Sequence, residues 1–101
     1  MAMPRFTEKS QEALLEAERL AEARGHASVE ALHLLAALVA QQDGVVPLVL
    51  RAAGVEAAGL ARQIEAALHR LPVVQGAVQR APGESLRAAL RRAEEAEPVA
   101  V

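Results

Sequence analysis

The sequence predicts an all-α fold, a small bundle of about five helices, and three observations carry that reading. Apolar residues recur at steps of three and four along successive stretches, which is the period of a helix with one buried face. Capping residues precede these stretches, and Gly or Pro follows them. The composition is 52% hydrophobic yet holds one aromatic, Phe6, and one threonine, Thr7. A core filled by Leu, Val and Ala suits closely packed helices, whereas a β-sandwich draws on more aromatics and Thr. At 101 residues the chain is read as one domain with a modest core.

The first helix is predicted from Thr7 to about Arg24. Thr7 is a good N-cap, with Glu8 just inside the positive end of the helix dipole. Ala13, Leu14, Ala17, Leu20 and Ala21 make its buried stripe, and Gly25 fits the left-handed position past its end. Ser28 is predicted to cap a second helix running to about Gln42, with Glu30 in its first turn. Leu32, Leu34, Leu35, Leu38 and Val39 leave it little polar face, so it belongs in the middle of the bundle. After Asp43-Gly44 a short third helix covers about Val46 to Ala53, with Pro47 in its first turn and Gly54 behind it. The fourth spans about Glu56 to Leu71 on a stripe of Leu60, Ile64, Ala67, Leu68 and Leu71, and Pro72 stops it. Val73 to Pro82 has no helical period and reads as a loop or linker. A fifth helix follows from about Glu84 to Glu97, with Leu86, Ala89, Leu90, Ala93 and Ala96 on one side and Pro98 at its end. Adding 76 to the residue number carries Ala13, Leu14 and Ala17 onto Ala89, Leu90 and Ala93, an internal echo. Val99-Ala100-Val101 is an abrupt apolar end, read as that of a fragment or truncated chain.

Charge and composition narrow the function classes. A net charge of −2 without a Lys/Arg block gives no electrostatic pull on phosphate, so no nucleic-acid partner is expected. Arg87, Arg91 and Arg92 sit beside Glu94, Glu95 and Glu97 and read as a solvated mixed-charge face. The most apolar run, Ala31 to Ala40, falls short of the roughly 20 residues that span a bilayer, and Met1 to Ser10 lacks an apolar signal core. Neither a membrane partner nor export is expected, and a cytoplasmic location is the plain reading. Cysteine is absent, which rules out disulfides and thiolate metal sites within the sequence.

Reactive groups give catalysis little to build on. Ser10, Ser28 and Ser85 have no His and acid nearby in a local motif, and adjacent acids such as Glu94 and Glu95 point to different sides of a helix. A metal site at His33 needs further converging ligands, and His26, seven residues away, is not at ligand spacing. His33 is read as a structural, hydrogen-bonded histidine, with a pH-sensitive role as the alternative. His69 lies near a helix C-terminus, where positive charge is favoured. No catalytic residue, cofactor or metal is expected.

Several stretches taken together resemble a known family. Arg5-Phe6-Thr7-Glu8-Lys9-Ser10-Gln11-Glu12-Ala13-Leu14 is similar to the opening of the Clp N-terminal domain, and His33-Leu34-Leu35-Ala36-Ala37-Leu38 to its H-L-L-x-A-L helix. Ala53-Gly54-Val55 and Ala67-Leu68-His69-Arg70-Leu71-Pro72-Val73-Val74-Gln75-Gly76 resemble the ClpB branch in particular. The family's domain is a helical pseudo-dimer of two repeats. By that resemblance residues 1–72 form a first repeat, 73–83 a linker and 84–101 a truncated second repeat.

The resemblance implies a substrate-engaging domain on a hexameric AAA+ ring, a disaggregase, with unfolded or aggregated polypeptides as partners. It implies no ATPase activity here, because no G-x-x-x-x-G-K-[ST] occurs in the sequence. The alternative is an adaptor-docking domain of a ClpC- or ClpA-type unfoldase, against which the R-L-P-V-V-Q-G stretch argues. A third reading is self-association through the stripe on the fifth helix. Thr7 aligns with a threonine linked to substrate handling, beside its role as a cap stabilising the helix by about 1 kcal/mol. The family's apolar substrate groove puts lining positions at Arg92 and Ala96, where the ClpB branch can have leucine. Arg92 sets a cation in that wall. Leu86 and Leu90 are the candidates for a shifted groove, with core contacts as the competing reading.

Overall fold

The computed structural model describes residues 8–42, 44–74 and 80–96, the side chain of residue 96 excepted. Among them are five α-helices and no strand: α1 (Glu8–Arg24), α2 (Ala31–Ala40), α3 (Val45–Ala52), α4 (Ala57–His69) and α5 (Glu84–Ala96). The all-α expectation holds, and each predicted helix is present with its described ends within three residues of those expected.

α2 is the hub. It packs against each of the other four helices, as its nearly all-round apolar surface requires. Two side-chain clusters meet on it. On one side Ala17 and Ala21 of α1 close on Val29 and on Leu86 of α5, with Leu14, Leu34 and Leu90 around them. On the other, Val39 meets Ile64 and Leu68 of α4, bordered by Leu20, Leu32, Val46, Leu50 and Leu60. Ala13, Ala17 and Ala21 are fully buried at four-residue spacing, so α1 approaches its neighbour on a seam of methyl groups. Gly25 (φ 73°) and Gly54 (φ 80°) take the left-handed conformation behind α1 and α3 that only glycine adopts cheaply.

The start of α2 differs from expectation. The N-cap is Glu30, not Ser28. Ser28 lies two residues ahead of that cap, and its hydroxyl donates to the Glu30 carboxylate. His33, at the third helical position, accepts the Glu30 backbone N–H through Nδ1 at 2.8 Å. This is the reciprocal half of a capping box, usually supplied by Glu or Gln.

The described residues between α4 and α5 carry no helix, yet they are fastened along their length. The Val74 N–H donates to the Gly25 carbonyl at 2.8 Å, Val29 N–H to the Ala81 carbonyl at 3.0 Å and Gly83 N–H to the Val29 carbonyl at 2.8 Å. Arg80 adds a bond from Nε to the His26 carbonyl.

Gly83 is there because Glu30 lies against it. A Cβ at this position would sit 2.2 Å from Glu30 Oε2 and 2.6 Å from Cδ. Gly→Ala ordinarily gains about 0.4–1 kcal/mol by restricting the unfolded chain. Here the methyl must displace a carboxylate held by Ser28 and Ser85, and hydrogen bonds to charged groups are worth about 1.5–3 kcal/mol each. Gly83→Ala should therefore destabilise by about 1–2 kcal/mol net, read from the midpoint of urea unfolding.

Candidate functional site

The densest set of buried polar groups lies where residues 25–31 turn from α1 into α2. His26 and His33 are 4% and 0% exposed, with His26 Nδ1 and His33 Nε2 2.8 Å apart. Because the Glu30 N–H donates to His33 Nδ1, that atom is an acceptor. The His33 proton then sits on Nε2 and is donated to His26 Nδ1. Burial is the main reason that both rings protonate below the ordinary histidine range. Arg24 and Arg80 add to it at His26, and His26 adds to it at His33 against the opposing pull of Glu30.

Glu30 is held below the usual carboxylate range, first by the Ser28 hydroxyl and then by that of Ser85. Ser85 Oγ also accepts the Ala31 N–H at 2.9 Å, so one hydroxyl pins the first turn of α5 to the N-terminus of α2. Its proton and lone pair are both engaged, and no described hydrogen bond joins a serine to a histidine. Among the described residues no group of three His, Asp or Glu side chains is placed to hold a metal ion. The node is chemically suited to fixing helix ends.

Of the residues singled out from the sequence, Thr7 lies outside the described residues. Leu86 is 3% exposed and buried against Ala17, Ala21 and Val29, with Leu90 half-buried on the same cluster. Arg92 is exposed, and Ala96 is the last residue of α5.

The open apolar surface lies elsewhere. A groove of about 470 Å³ runs between α1, α2 and α4. Its floor is Leu20, Val39 and Leu68, its lips are small residues such as Ala36, Ala40 and Ala61, and Glu16 and Glu65 stand at the rim. Arg24 crosses from α1 to pair with Glu65 at 2.8 Å, and His69 reaches the same carboxylate at 3.1 Å. This half-exposed network holds the two walls in place more than it adds stability. The hydrogen bond from Arg24 is the main reason that the Glu65 carboxyl is held below the usual carboxylate range. A second, shallower hollow of about 560 Å³ is lined by Leu32, Leu35 and Leu71, with Glu30 and Ser85 on its edge. On α3, Val45, Leu48 and Val49 are 69%, 60% and 55% exposed.

Sequence reasoning missed these surfaces. The groove is lipped by alanines, which read as core. The α3 stripe was visible in the spacing of Val45, Leu48 and Val49, but Val46 and Leu50 offer an apolar side too, and packing on α4 decides which one faces inward.

No single described helix is long and apolar enough to cross a membrane. A family model for the Clp repeat (R) N-terminal domain matches residues 5–98. The chaperone protein ClpB of Nitratidesulfovibrio vulgaris is 43% identical over 76 residues, 75% of this chain and 9% of that protein. ClpB of Corynebacterium diphtheriae is 45% identical over 71 residues, 70% of this chain and 8% of that protein. ClpB 1 of Parasynechococcus marenigrum is 37% identical over 91 residues, 89% of this chain and 10% of that protein. The chain thus spans about a tenth of the length of these relatives. A five-helix bundle centred on the His33–Leu38 stretch, matched by that family model over nearly its whole length, belongs to the Clp repeat N-terminal domain family and is of the type found in ClpB chaperones.

Proposed function

We propose that this chain is the substrate-engaging N-terminal domain of an ATP-dependent disaggregase, binding unfolded or aggregated polypeptide without chemistry of its own. The observation that carries the reading is the open apolar groove between α1, α2 and α4, in a domain whose relatives are named ClpB chaperones. Alanine lips make it shallow and undemanding. Such a surface accepts extended apolar segments with little sequence preference, and its polar rim keeps it soluble when empty. ATP hydrolysis and pulling belong to the rest of the parent protein, an AAA+ hexamer in this reading. Six copies on one ring turn a weak single site into useful avidity, by roughly 10²–10⁴. In this scheme residues 1–72 form the first repeat, 73–83 the linker and 84–101 the start of a second.

The test is a titration of the isotope-labelled chain with a reduced, alkylated protein that cannot refold, followed by amide shifts. Residues 36, 40 and 61 should move, with affinity in the submillimolar to millimolar range. Ala61→Glu, on an exposed lip, should weaken binding by about tenfold, the effect of roughly 1.4 kcal/mol. If no surface responds at millimolar concentration, the reading fails. A single folded protein captured in place of unfolded chains would point to adaptor docking instead.

A further inference from the structure

We propose that the His26–His33 pair is an acid-sensitive latch: one proton on the pair opens residues 25–31 and frees residues 80–85, with the rest of α5, from the other helices. The inference stands apart from the substrate-binding reading and rests on two geometric facts.

The first is where residues 73–74 and 80–85 are attached. Each hydrogen bond described between them and the other helices ends on residues 25–31. The acceptors and donors there are the Gly25, His26 and Val29 carbonyls, the Val29 and Ala31 N–H groups and the Glu30 carboxylate. One short segment is the clasp for these bonds, and the His26–His33 bond ties that segment to α2.

The second is the proton count within the pair. With both rings neutral, Glu30 N–H donates to His33 Nδ1, and His33 Nε2–H donates to His26 Nδ1. An added proton goes to His26 Nδ1 or to His33 Nδ1. On His26 it faces the Nε2–H of His33, donor against donor. If His33 instead moves its own proton to Nδ1, that atom turns a donor toward the Glu30 N–H. On His33 Nδ1 the added proton gives the same conflict. No singly protonated form keeps both bonds. The backbone N–H cannot change role, so a buried donor loses its partner in each case.

The charges around the pair agree. Arg24 at the end of α1 and Arg80 ahead of α5 both oppose a further positive charge at His26. Glu30, on the α2 cap, favours it at His33, while Glu65 of α4 is taken up by Arg24. Both imidazoles are pushed below their ordinary value of 6.5, so the opened form binds protons more readily than the closed one. The closed form is therefore unaffected by pH above about 6.5 and loses stability as the pH falls below it.

Native-state hydrogen exchange on the full chain, corrected for intrinsic rates, tests this alongside imidazole nitrogen shifts. At neutral pH, His33 should be the Nε2–H tautomer. As the pH falls below about 6, protection in α5 should drop by roughly tenfold per pH unit for each proton taken up, while α4 keeps its protection over the same range. The double variant His26→Gln/His33→Gln has no ring left to titrate in the pair and keeps an acceptor for the Glu30 N–H, so it should hold α5 closed in acid. Three results would overturn the proposal: α5 still protected after the pair has titrated, α4 and α5 lost together, or the double variant opening at the same pH as the parent.

Discussion

Truncating Leu68 to alanine should lower the unfolding free energy by about 2–5 kcal/mol. Leu68 is 2% exposed and closes the cluster that joins α4 to α2 with Val39 and Ile64. The loss combines the transfer free energy of the missing side-chain carbons with the cavity they leave. It falls where the fold has little to spare, since small domains hold about 5–15 kcal/mol in all. Each kcal/mol lowers the melting temperature by about 4–8 °C in a domain near this size. The sequence has neither Trp nor Tyr, so far-ultraviolet circular dichroism in urea is the natural readout. Leu68→Met keeps most of the volume and should cost less than about 1.5 kcal/mol. Equal losses in the two variants would mean that the site relaxes around a cavity, and that packing at Leu68 is not what joins the two helices.

The second large effect is expected at His33. Leucine there would keep an apolar body in the core, so the change isolates the polar part. It would strand two groups at once, the Glu30 N–H and His26 Nδ1. Each unsatisfied buried group costs about 1–3 kcal/mol, which puts His33→Leu at about 2–5 kcal/mol. His33→Gln restores an acceptor for the Glu30 N–H in the manner of an ordinary capping box, and should recover about half of that loss. Both variants are compared with the parent near pH 8, where His26 and His33 are neutral in folded and unfolded chains alike. A His33→Leu variant as stable as the parent would show that the ring's hydrogen bonds contribute nothing net.

Much of the bundle could be read from spacing alone. The stripes of α1 and α4 named the buried residues, and the shortage of polar positions on α2 placed it at the centre. Leu86 was already readable as core. The polar node was harder, for definite reasons. Ser28 is the better N-cap by residue type, but the helix starts behind Glu30, whose N–H is taken by His33, and a residue-by-residue ranking cannot represent a cap completed by histidine. His26 and His33 are seven residues apart, a separation that means little until the chain reverses at Gly25. The attachment at Val74, Ala81 and Gly83 is made between backbone groups, which every residue carries alike, so side-chain types give no sign of it. The groove between α1, α2 and α4 escaped notice because alanine at a lip and alanine in a core are the same letter.

The alanine seam of α1 has a thermal consequence. Ala13, Ala17 and Ala21 are fully enclosed, yet alanine has no rotamer freedom to surrender on being enclosed. Their methyls also remove little apolar area from water, so the seam releases few ordered solvent molecules. Its attraction comes instead from many short-range dispersion contacts between closely set backbones. The α1 seam accordingly makes a small contribution to the heat capacity of unfolding for its length, and its grip varies less with temperature than that of the leucine-rich side around Leu68.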